Sequence, residues 1–484
     1  MRSKYKEIHP ATFFFLLTVG VILISWMLYI YGVRVVQPHT GEMLLVQNML
    51  SPEGVRWTLR NVVSNFTSFA PLGMVLVAML GIGVAQDSGL VDASIRFTLK
   101  NKSSQNRSIL FLIFLGILSN VIGDAGYILL IPLSAVWFSY IGLHPVVGII
   151  TSFVSVAGGY SANVFISTLD PLIARVTQEA AVKSGVAHEL VGPFCNYFFM
   201  FASTFLLIAV IFLLVKKWLI PLVHRKYALV EPLIYRALSR RERRSLLFSL
   251  FTAVLYAVLI LVITFSPWGF LRGVSGGLIR APFVMGALFL LSLGLGIMGV
   301  VYGFTSGRYR SDIDVIKGLS SSMRVLANFI VIAFFASQFF GALTYTHLDE
   351  YLVIKGAELL TSIQGPSYFI LVIGVVGVAS LNLVMVSSLA KWNLIAVLIL
   401  PYFELNGWGP EVAQAVYRIG DSATNAITPF LFYMPLAFTY LQEYEGRSSF
   451  SRLLSYTWKF SCYILLLWTL FLVFWLQLGL PLGM

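Results

Sequence analysis

The sequence predicts an all-α polytopic membrane protein in which two re-entrant helical hairpins enter the membrane without crossing it. Of its 484 residues, 58% are hydrophobic and 11% are charged, about half the charged share usual in soluble domains. Several apolar runs reach about twenty residues, which lets a helix cross a hydrocarbon layer about 30 Å thick. Two further regions are apolar, but Gly, Ser, Asn, Thr and Pro interrupt them too often for one helix.

The apolar runs, divided by polar breaks, predict the membrane-spanning segments in order. No small-residue cleavage site follows the first run, Ala11 to Gly32, so it predicts a retained span and not a signal peptide. The run that begins near 367 continues past a polar interruption to about 400. We expect spans near 11–33, 68–85, 108–122, 126–142, 193–215, 246–266, 282–303, 326–345, 367–400 and 460–480.

The basic residues predict the orientation of the chain. A net charge of +12 suggests nucleic acid in a soluble protein, but here the basic residues gather in connections between apolar runs. The stretch Lys216 to Arg244 holds nine Lys or Arg, whereas the longer connection Arg34 to Phe66 holds three. We expect a multi-pass protein of the bacterial inner membrane with no nucleic-acid partner. By the positive-inside rule, its N-terminus is expected in the cytoplasm.

The interrupted regions divide the chain into two comparable halves around an apolar insertion. The regions are His144 to Glu189 and Gly407 to Gln442. Because non-helical backbone at membrane depth must be buried in protein or line a water-filled cavity, we expect both regions inside the protein. We expect residues 1–67 to hold the first span and an external connection. A first half at 68–215 contains hairpin 1 (about 144–170). A cytoplasmic basic loop and scaffold or dimerisation helices lie at 216–345. A second half at 346–484 contains hairpin 2 (about 407–430) and the C-terminal helix.

The two interrupted regions also resemble each other in sequence. The run GYSAN at 159–163 is echoed by GDSATN at 420–425, and a proline follows each run, Pro171 and Pro429. Interrupted segments at matching places in two halves point to the binding site of an inverted-repeat transporter. The residues expected to support the hairpin tips are Gly159, Ser161, Asn163, Gly420, Ser422 and Asn425.

Asp170 and Asp421 are the carboxylates that could carry chemistry. A membrane aspartate costs about 2.5 to 3.5 kcal/mol on insertion scales, so it needs a partner or a role. Asp170 alternatively caps a short helix that starts at Pro171. Asp421 lies three residues after Arg418, close enough to share a helical face in a structural ion pair. Alternatively, it binds sodium with oxygens from Ser422, Thr424 and Asn425, or it exchanges a proton.

Three further polar or amphipathic residues lie near the interruption after 380. Asn382 either binds an ion or makes a hydrogen bond between helices. Trp392 offers a flat surface to an aromatic ligand, although tryptophan is also common at membrane interfaces. We expect Lys391 to extend toward the cytoplasmic surface. Asp124, between two short spans, is expected in a charged turn at the surface.

Four stretches together resemble the AbgT transporter family. They are VIGDAGYILLIPLSA, HPVVGIITSFVSVAGGYSANVFISTLDPLIARVTQEAA, SSLAKW and AVYRIGDSATNAITPF. The resemblance implies a homodimer whose protomers have nine transmembrane helices and two inward hairpins from opposite sides. It also implies secondary transport of p-aminobenzoyl-glutamate-like folate precursors, or export of sulfonamides, driven by sodium or protons, and no enzymatic activity.

The resemblance also implies which residues form the transport path. Family members usually have a serine three residues before the tryptophan, whereas this chain has Leu389 there, which affects contacts near Trp392. A sodium ion is expected at Asn382 and Asp421. The path residues implied by the matching motifs are Asp170, Trp392, Pro410, Arg418, Asp421 and Pro429.

Competing functions make different demands on the sequence. A channel needs a continuous pore, and two unlike halves favour alternating access instead. An intramembrane aspartyl protease is expected to carry GxGD, whereas this chain has RIGD and TLDP, and its six histidines form no HExxH. Transport of another small organic anion, such as a dicarboxylate, stays open. Under the aromatic-anion hypothesis, an anilino ring stacks on Trp392 and Arg418 meets a carboxylate or sulfonyl oxygen.

Overall fold

The fold is almost entirely helical. The computed structural model describes residues 8–99, 104–186, 191–227, 237–266, 268–273, 277, 281–446 and 449–484. These residues form 21 α-helices and one small antiparallel sheet. The strands of this sheet, β1 (Arg34–Val36) and β2 (Met43–Leu45), pair Arg34 with Leu45. The all-α prediction is confirmed.

Nine helical segments of the described residues are long and apolar enough to cross a membrane, which confirms a polytopic membrane protein. Three other apolar helices are shorter, and 16 helical residues extend only about 24 Å. The nine segments are Pro10–Ile30, Pro52–Asp87, Gln105–Ile122, Tyr197–Lys226, Arg240–Phe265, Ala287–Ser306, Ala327–Thr346, Ser388–Leu405 and Phe450–Gln477.

The first half of the chain contributes ten helices. The connection expected at 34–66 contains a helix, because its polar residues interrupt the apolar pattern on which span prediction depends. The helices are α1 (Pro10–Ile30), α2 (Pro52–Thr67), α3 (Ala70–Asp87), α4 (Leu90–Leu99), α5 (Gln105–Leu118), α6 (Ala125–Tyr140), α7 (Pro145–Gly158), α8 (Asp170–Ser184), α9 (Tyr197–Leu214) and α10 (Ile220–Lys226).

The insertion and the second half contribute eleven more helices. The helix α16 escaped span prediction because charged residues follow one another closely along it. The helices are α11 (Arg240–Phe265), α12 (Pro282–Met285), α13 (Ala287–Ser306), α14 (Asp312–Val325), α15 (Ala327–Thr346), α16 (Leu348–Thr361), α17 (Ser367–Asn382), α18 (Ser388–Leu405), α19 (Pro410–Ala423), α20 (Met434–Glu445) and α21 (Phe450–Gln477).

Two apolar helices are interrupted at matching places in the halves. Between α5 and α6, a 3₁₀ turn (Ser119–Ile122) is followed by Gly123, whose φ of 72° favours glycine. Between α17 and α18, residues 383–387 leave the helix, so the run predicted from 367 to about 400 is two helices. In each case an asparagine, Asn120 or Asn382, lies at the interruption.

Two helix pairs lie beside these interruptions, and each pair has its own break. The first pair, α7 and α8, is separated by residues 159–169, which we call the first break. The second pair, α19 and α20, is separated by residues 424–433, the second break. Every residue of α7 is buried, as is α19 from Val412 onward. The predicted interruptions are confirmed, and the re-entrant path stays a prediction; His188 and Glu189 lie outside the described residues.

The insertion is more peripheral than the two helix pairs. Of the 26 residues of α11, only Ser245, Ser249 and Thr264 are buried. The helix α13 packs against α3 so closely that a Cβ on Gly81 would lie 1.8 Å from the carbonyl oxygen of Ser292. The apolar side chains that α11 leaves exposed suit lipid or another copy of the chain.

Candidate functional site

Asp170 joins the first break to α8 and to the second half of the chain. It is the first residue of α8, and its Oδ2 accepts hydrogen bonds from the backbone N of Ser167 (2.6 Å) and from its Oγ (2.9 Å). The carboxylate therefore holds the preceding turn, and it does not cap the free N–H groups of α8. Its Oδ1 lies 2.5 Å from Nη2 of Arg418. The aspartate thus has both a local structural contact and a long-range charged partner.

Arg418 crosses from the second helix pair to the first. Its Nη2 donates to Asp170 and also to the carbonyl oxygen of Ser161, at 3.0 Å. The expectation that Arg418 pairs with Asp421 is wrong, although both residues lie on α19. The side chains of Asp170 and Arg418 are 9% and 4% exposed, so both charges of this pair are nearly removed from solvent.

Asp421 pairs with Lys391 instead. The Nζ of Lys391 lies 2.6 Å from Oδ1 of Asp421, and the lysine side chain has no exposed surface. The expectation that Lys391 extends to the membrane surface is wrong, because the helix interruption places the start of α18 among buried groups. The other carboxylate oxygen of Asp421, Oδ2, is buried and accepts no hydrogen bond from the part of the chain that the structure describes. This oxygen remains capable of binding a further proton or cation.

Asn382 lies at the centre of the polar contacts in the second half. Its Nδ2 donates to the carbonyl oxygen of Asp421 (2.7 Å), to Oγ1 of Thr424 (3.0 Å) and to Oδ1 of Asn425 (2.8 Å). Its Oδ1 accepts from Nζ of Lys391 at 2.5 Å. The hydrogen-bonding interpretation is therefore right, and the lysine ammonium lies against oxygens of both residues expected to bind sodium.

Trp392 is enclosed by polar and aromatic groups. Its indole Nε1 donates to Oγ1 of Thr177 at 2.9 Å, which links α18 to α8. The ring of Tyr417 lies 4.4 Å from the Trp392 ring between centroids, at 32°. Gln414 also donates to Thr177 (2.8 Å) and accepts from Asn196 (2.7 Å). A ligand can stack on the covered face of Trp392 only after Tyr417 moves.

Leu389 occupies the position where family members usually have a serine. A serine hydroxyl is still present near Trp392, because Ser388 precedes Leu389. Leu389 is partly buried and packs against the apolar core. The neighbouring Ser388 contributes both its Oγ, 3.3 Å from the hydroxyl of Tyr417, and its carbonyl oxygen, which accepts from that hydroxyl at 2.5 Å. Serine therefore contacts Tyr417 one residue before the position expected from the family.

The prolines of the predicted path mark the ends of α19 and its break. Pro410 is at the start of α19, where the missing N–H costs no helical hydrogen bond. Pro429 lies in the second break, where it cannot continue a helix. Both residues are partly buried. Their part in transport stays a prediction.

The residues expected to support the hairpin tips lie where the two helix pairs meet. The backbone N of Ser161 donates to Oγ of Ser422 at 3.2 Å, and Asn425 donates to the carbonyl oxygen of Ala157 at 3.3 Å. Asn163 places its Nδ2 3.0 Å from the carbonyl oxygen of Ile117, in the amide orientation that its neighbours require. The first two contacts join the two halves directly, and the third holds the first break to α5.

One glycine of each tip lies where a side chain would meet a neighbouring helix. A Cβ on Gly159 would lie 2.6 Å from Cγ1 of Ile117, on α5. A Cβ on Gly420 would lie 2.7 Å from the carbonyl oxygen of Val375, on α17. Because backbone cannot give way as a flexible side chain does, a larger residue at 420 would push α19 away from α17.

The space around these residues is small. A cavity of about 10 Å³ adjoins Asp170 and Arg418, enough for little more than one water molecule. A second cavity, of about 100 Å³, adjoins Asp124, Asn120 and Tyr160. Asp124 thus lies in a turn, as expected, but it is partly buried beside the first break, so the expected position at the surface is wrong. Because ligand pockets for organic molecules measure about 300 Å³ or more, the structure is closed around the ion pair of Asp170 and Arg418.

Several residues around Trp392 and Asp421 were not predicted from the sequence. Thr177, Gln414 and Asn196 form the hydrogen-bonded chain behind Trp392, and each looks ordinary in a mixed helix. Lys391 had a detectable signal, since a lysine between apolar residues deep in a predicted span requires a partner. The partner of Lys391 could not be identified from the sequence, because Asp421 lies 30 positions later in the chain.

The chain is similar to known proteins over its whole length. The family model described as "AbgT putative transporter family" matches residues 6–484. The p-aminobenzoyl-glutamate transport protein of Escherichia coli K12 is 28% identical over 484 residues, which cover 100% of this chain and 94% of that protein.

Two solved structures are similar to this chain. The YdaH transporter of Alcanivorax borkumensis is 33% identical with a TM-score of 0.55, covering 99% of this chain and 100% of that one. MtrF of Neisseria gonorrhoeae, described as illuminating a class of antimetabolite efflux pumps, is 32% identical with a TM-score of 0.53, covering 97% and 95%. The match of fold and sequence over the whole length leads to one conclusion: this chain is a membrane transporter of the AbgT family, and not an enzyme.

Proposed function

We propose that this protein is a secondary active transporter of small aromatic organic anions. Its substrates would be p-aminobenzoyl-glutamate-like folate precursors or catabolites, or sulfonamide antimetabolites that it exports. Names of two relatives support this substrate class, one a p-aminobenzoyl-glutamate transport protein and the other connected with antimetabolite efflux. A sodium or proton gradient would drive movement across the inner membrane.

The observation that carries the proposal is the buried ion pair between the halves. Arg418 belongs to the second helix pair and Asp170 to the first, and their charged atoms lie 2.5 Å apart. A carboxylate or sulfonyl oxygen of a substrate can replace Asp170 as the acceptor of the guanidinium. Such an exchange would loosen the contact between the helix pairs when substrate binds, which couples occupancy of the site to movement of the halves.

The coupling ion has candidate ligands in the second half. Oxygens of Asn382 and Asp421 suit sodium, and the buried Oδ2 of Asp421 has no hydrogen-bond partner among the described residues. Lys391 holds the other carboxylate oxygen, so a bound sodium would share Asp421 with the ammonium or displace it. A proton on Asp421 would weaken the same contact. Either ion thereby changes how tightly α18 is held to α19.

The proposed architecture follows from the paired features of the two halves. We infer re-entrant paths for both helix pairs and an inverted repeat, because each half has an interrupted helix beside a buried helix pair. The exposed apolar side of α11 supports a homodimer in which the insertion contributes contacts. The basic connection at 216–245, of which residues 228–236 lie outside the described residues, supports a cytoplasmic N-terminus.

Transport of a non-aromatic anion, such as a dicarboxylate, is the alternative. It is favoured by the position of Tyr417 over Trp392, since this contact covers a face on which a substrate ring would stack. Arg418 recognises a carboxylate with or without a ring. Competition by benzoate-type and aliphatic carboxylates would separate the two substrate classes.

Accumulation in proteoliposomes tests the proposed function. Radiolabelled p-aminobenzoyl-glutamate should accumulate against its own gradient when sodium or a pH difference is imposed, and an ionophore should abolish the accumulation. Arg418→Gln should abolish it as well, whereas Arg175→Gln is the matched control because Arg175 is 70% exposed on α8. Equilibration without accumulation would indicate a channel, and normal transport by Arg418→Gln would refute the role of this residue.

A further inference from the structure

Each half of the chain uses an asparagine to hold a helix pair against an interrupted helix. In the second half, Nδ2 of Asn382 donates to the backbone carbonyl of Asp421 on α19. In the first half, Nδ2 of Asn120 donates to the carbonyl oxygens of Ile117 (3.2 Å) and Val156 (3.1 Å), the latter on α7. Both partners of Asn120 are acceptors, which fixes the orientation of its amide. The two asparagines occupy comparable positions.

The amide oxygens of the two asparagines differ in what they contact. Oδ1 of Asn382 accepts from the ammonium of Lys391 at 2.5 Å. Asn120 is only 4% exposed. Its Oδ1 is buried and accepts no hydrogen bond from the described residues. A buried amide oxygen without a donor loses its hydration without compensation. In the second half, a lysine ammonium thus contacts the amide oxygen, whereas in the first half no cation of the described residues does so.

Asp124 supplies a negative charge to a cavity that Asn120 also lines. It lines the cavity of about 100 Å³ together with Asn120, Tyr160 and Thr168. Its carboxylate interacts with the hydroxyl of Tyr433, and no basic side chain of the described residues pairs with it. By contrast, Asp170 pairs with Arg418 and Asp421 pairs with Lys391. Of these three carboxylates, Asp124 alone has no counter-charge among the residues that the structure describes.

We propose that the cavity lined by Asn120 and Asp124 is a binding site for one small monovalent cation, with sodium as the ion of suitable chemistry. One carboxylate, one amide oxygen and the hydroxyl of Thr168 are the hard oxygen ligands that such an ion requires. A single positive charge also balances the single negative charge of Asp124. Bound there, the ion links the interruption between α5 and α6 to the first break, as Lys391 links α18 to α19.

This inference adds a second cation site to the proposed transport cycle, but it is tested by binding alone. Purified protein in detergent is compared in sodium chloride and in choline chloride of equal ionic strength. The readouts are bound radioactive sodium and hydrogen exchange of peptides that cover 117–127 and 159–169. Sodium should slow exchange in both peptides, and Asp124→Asn should abolish this protection and weaken sodium binding there at least about tenfold.

Two further variants control the measurement. Asp124→Glu retains the charge and should restore sodium-dependent protection, which separates loss of the ion from a failure to fold. Asp312→Asn removes an exposed carboxylate at the start of α14 and should change nothing. Wild-type protection by sodium in Asp124→Asn would overturn the proposal, as would protection that follows pH but not sodium. Because no transport is measured, failure of the proposed substrate or coupling would leave these results unchanged.

Discussion

Neutralising the ion pair of Asp170 and Arg418 one residue at a time should cost far more stability than neutralising both. At an effective dielectric constant of about 20, unit charges about 4 Å apart attract each other by about 4 kcal/mol. Both side chains are at least nine-tenths buried, so removing one leaves the other charge without its partner. We expect Asp170→Asn and Arg418→Gln each to lower the free energy of unfolding by about 3 to 5 kcal/mol.

The double variant distinguishes this reasoning from a loss of packing. When both charges are absent, no buried charge is left unpaired, so Asp170→Asn with Arg418→Gln should unfold within about 1 to 2 kcal/mol of wild type. Unfolding is followed in mixed micelles at graded denaturing detergent, and transport is measured in proteoliposomes. The double variant should be stable but inactive. Additive losses of stability, or transport by the stable double variant, would refute the reasoning.

Three other changes test the contacts around the site. Lys391→Met leaves Asp421 without its cation, so stability should fall by about 3 to 5 kcal/mol and sodium, but not choline, should partly restore the melting temperature. Gly420→Ala places a methyl group against the backbone of α17, and the expected loss is about 1 to 3 kcal/mol with reduced transport. Thr177→Val removes the acceptor of the Trp392 indole and should cost about 1 to 3 kcal/mol, whereas an unchanged unfolding curve would contradict the hydrogen bond.

The sequence was sufficient for the features that depend on local composition. Membrane spans follow from apolar runs, because a helix in lipid must satisfy its own backbone and present apolar side chains. The two broken segments were recognisable for the opposite reason, since GGYSAN and GDSATN place polar groups and glycine in apolar surroundings. The α2 and α16 helices escaped this approach, because charged residues interrupt the apolar pattern along both.

The pairing of charges could not be read from the sequence. Spacing suggested Arg418 and Asp421 as partners, whereas in the fold Arg418 pairs with Asp170 and Asp421 pairs with Lys391. Positions three apart on a helix are neighbours, but a residue 248 positions away becomes closer once two helix pairs meet. The position of Asp124 was misjudged for a related reason, because only the packing of the first break beside α6 encloses it.

The most direct test of the central claim is a reversible cross-link between the two breaks. Ser161 and Ser422 are in contact across the halves, and both are changed to cysteine after Cys195 and Cys462 have been replaced. Transport is then measured in proteoliposomes whose cross-linked fraction is determined by mass spectrometry. If substrate moves only when the helix pairs separate, oxidation should abolish transport in proportion to the cross-linked fraction, and a reductant should restore it. Undiminished transport by fully cross-linked protein would contradict the account.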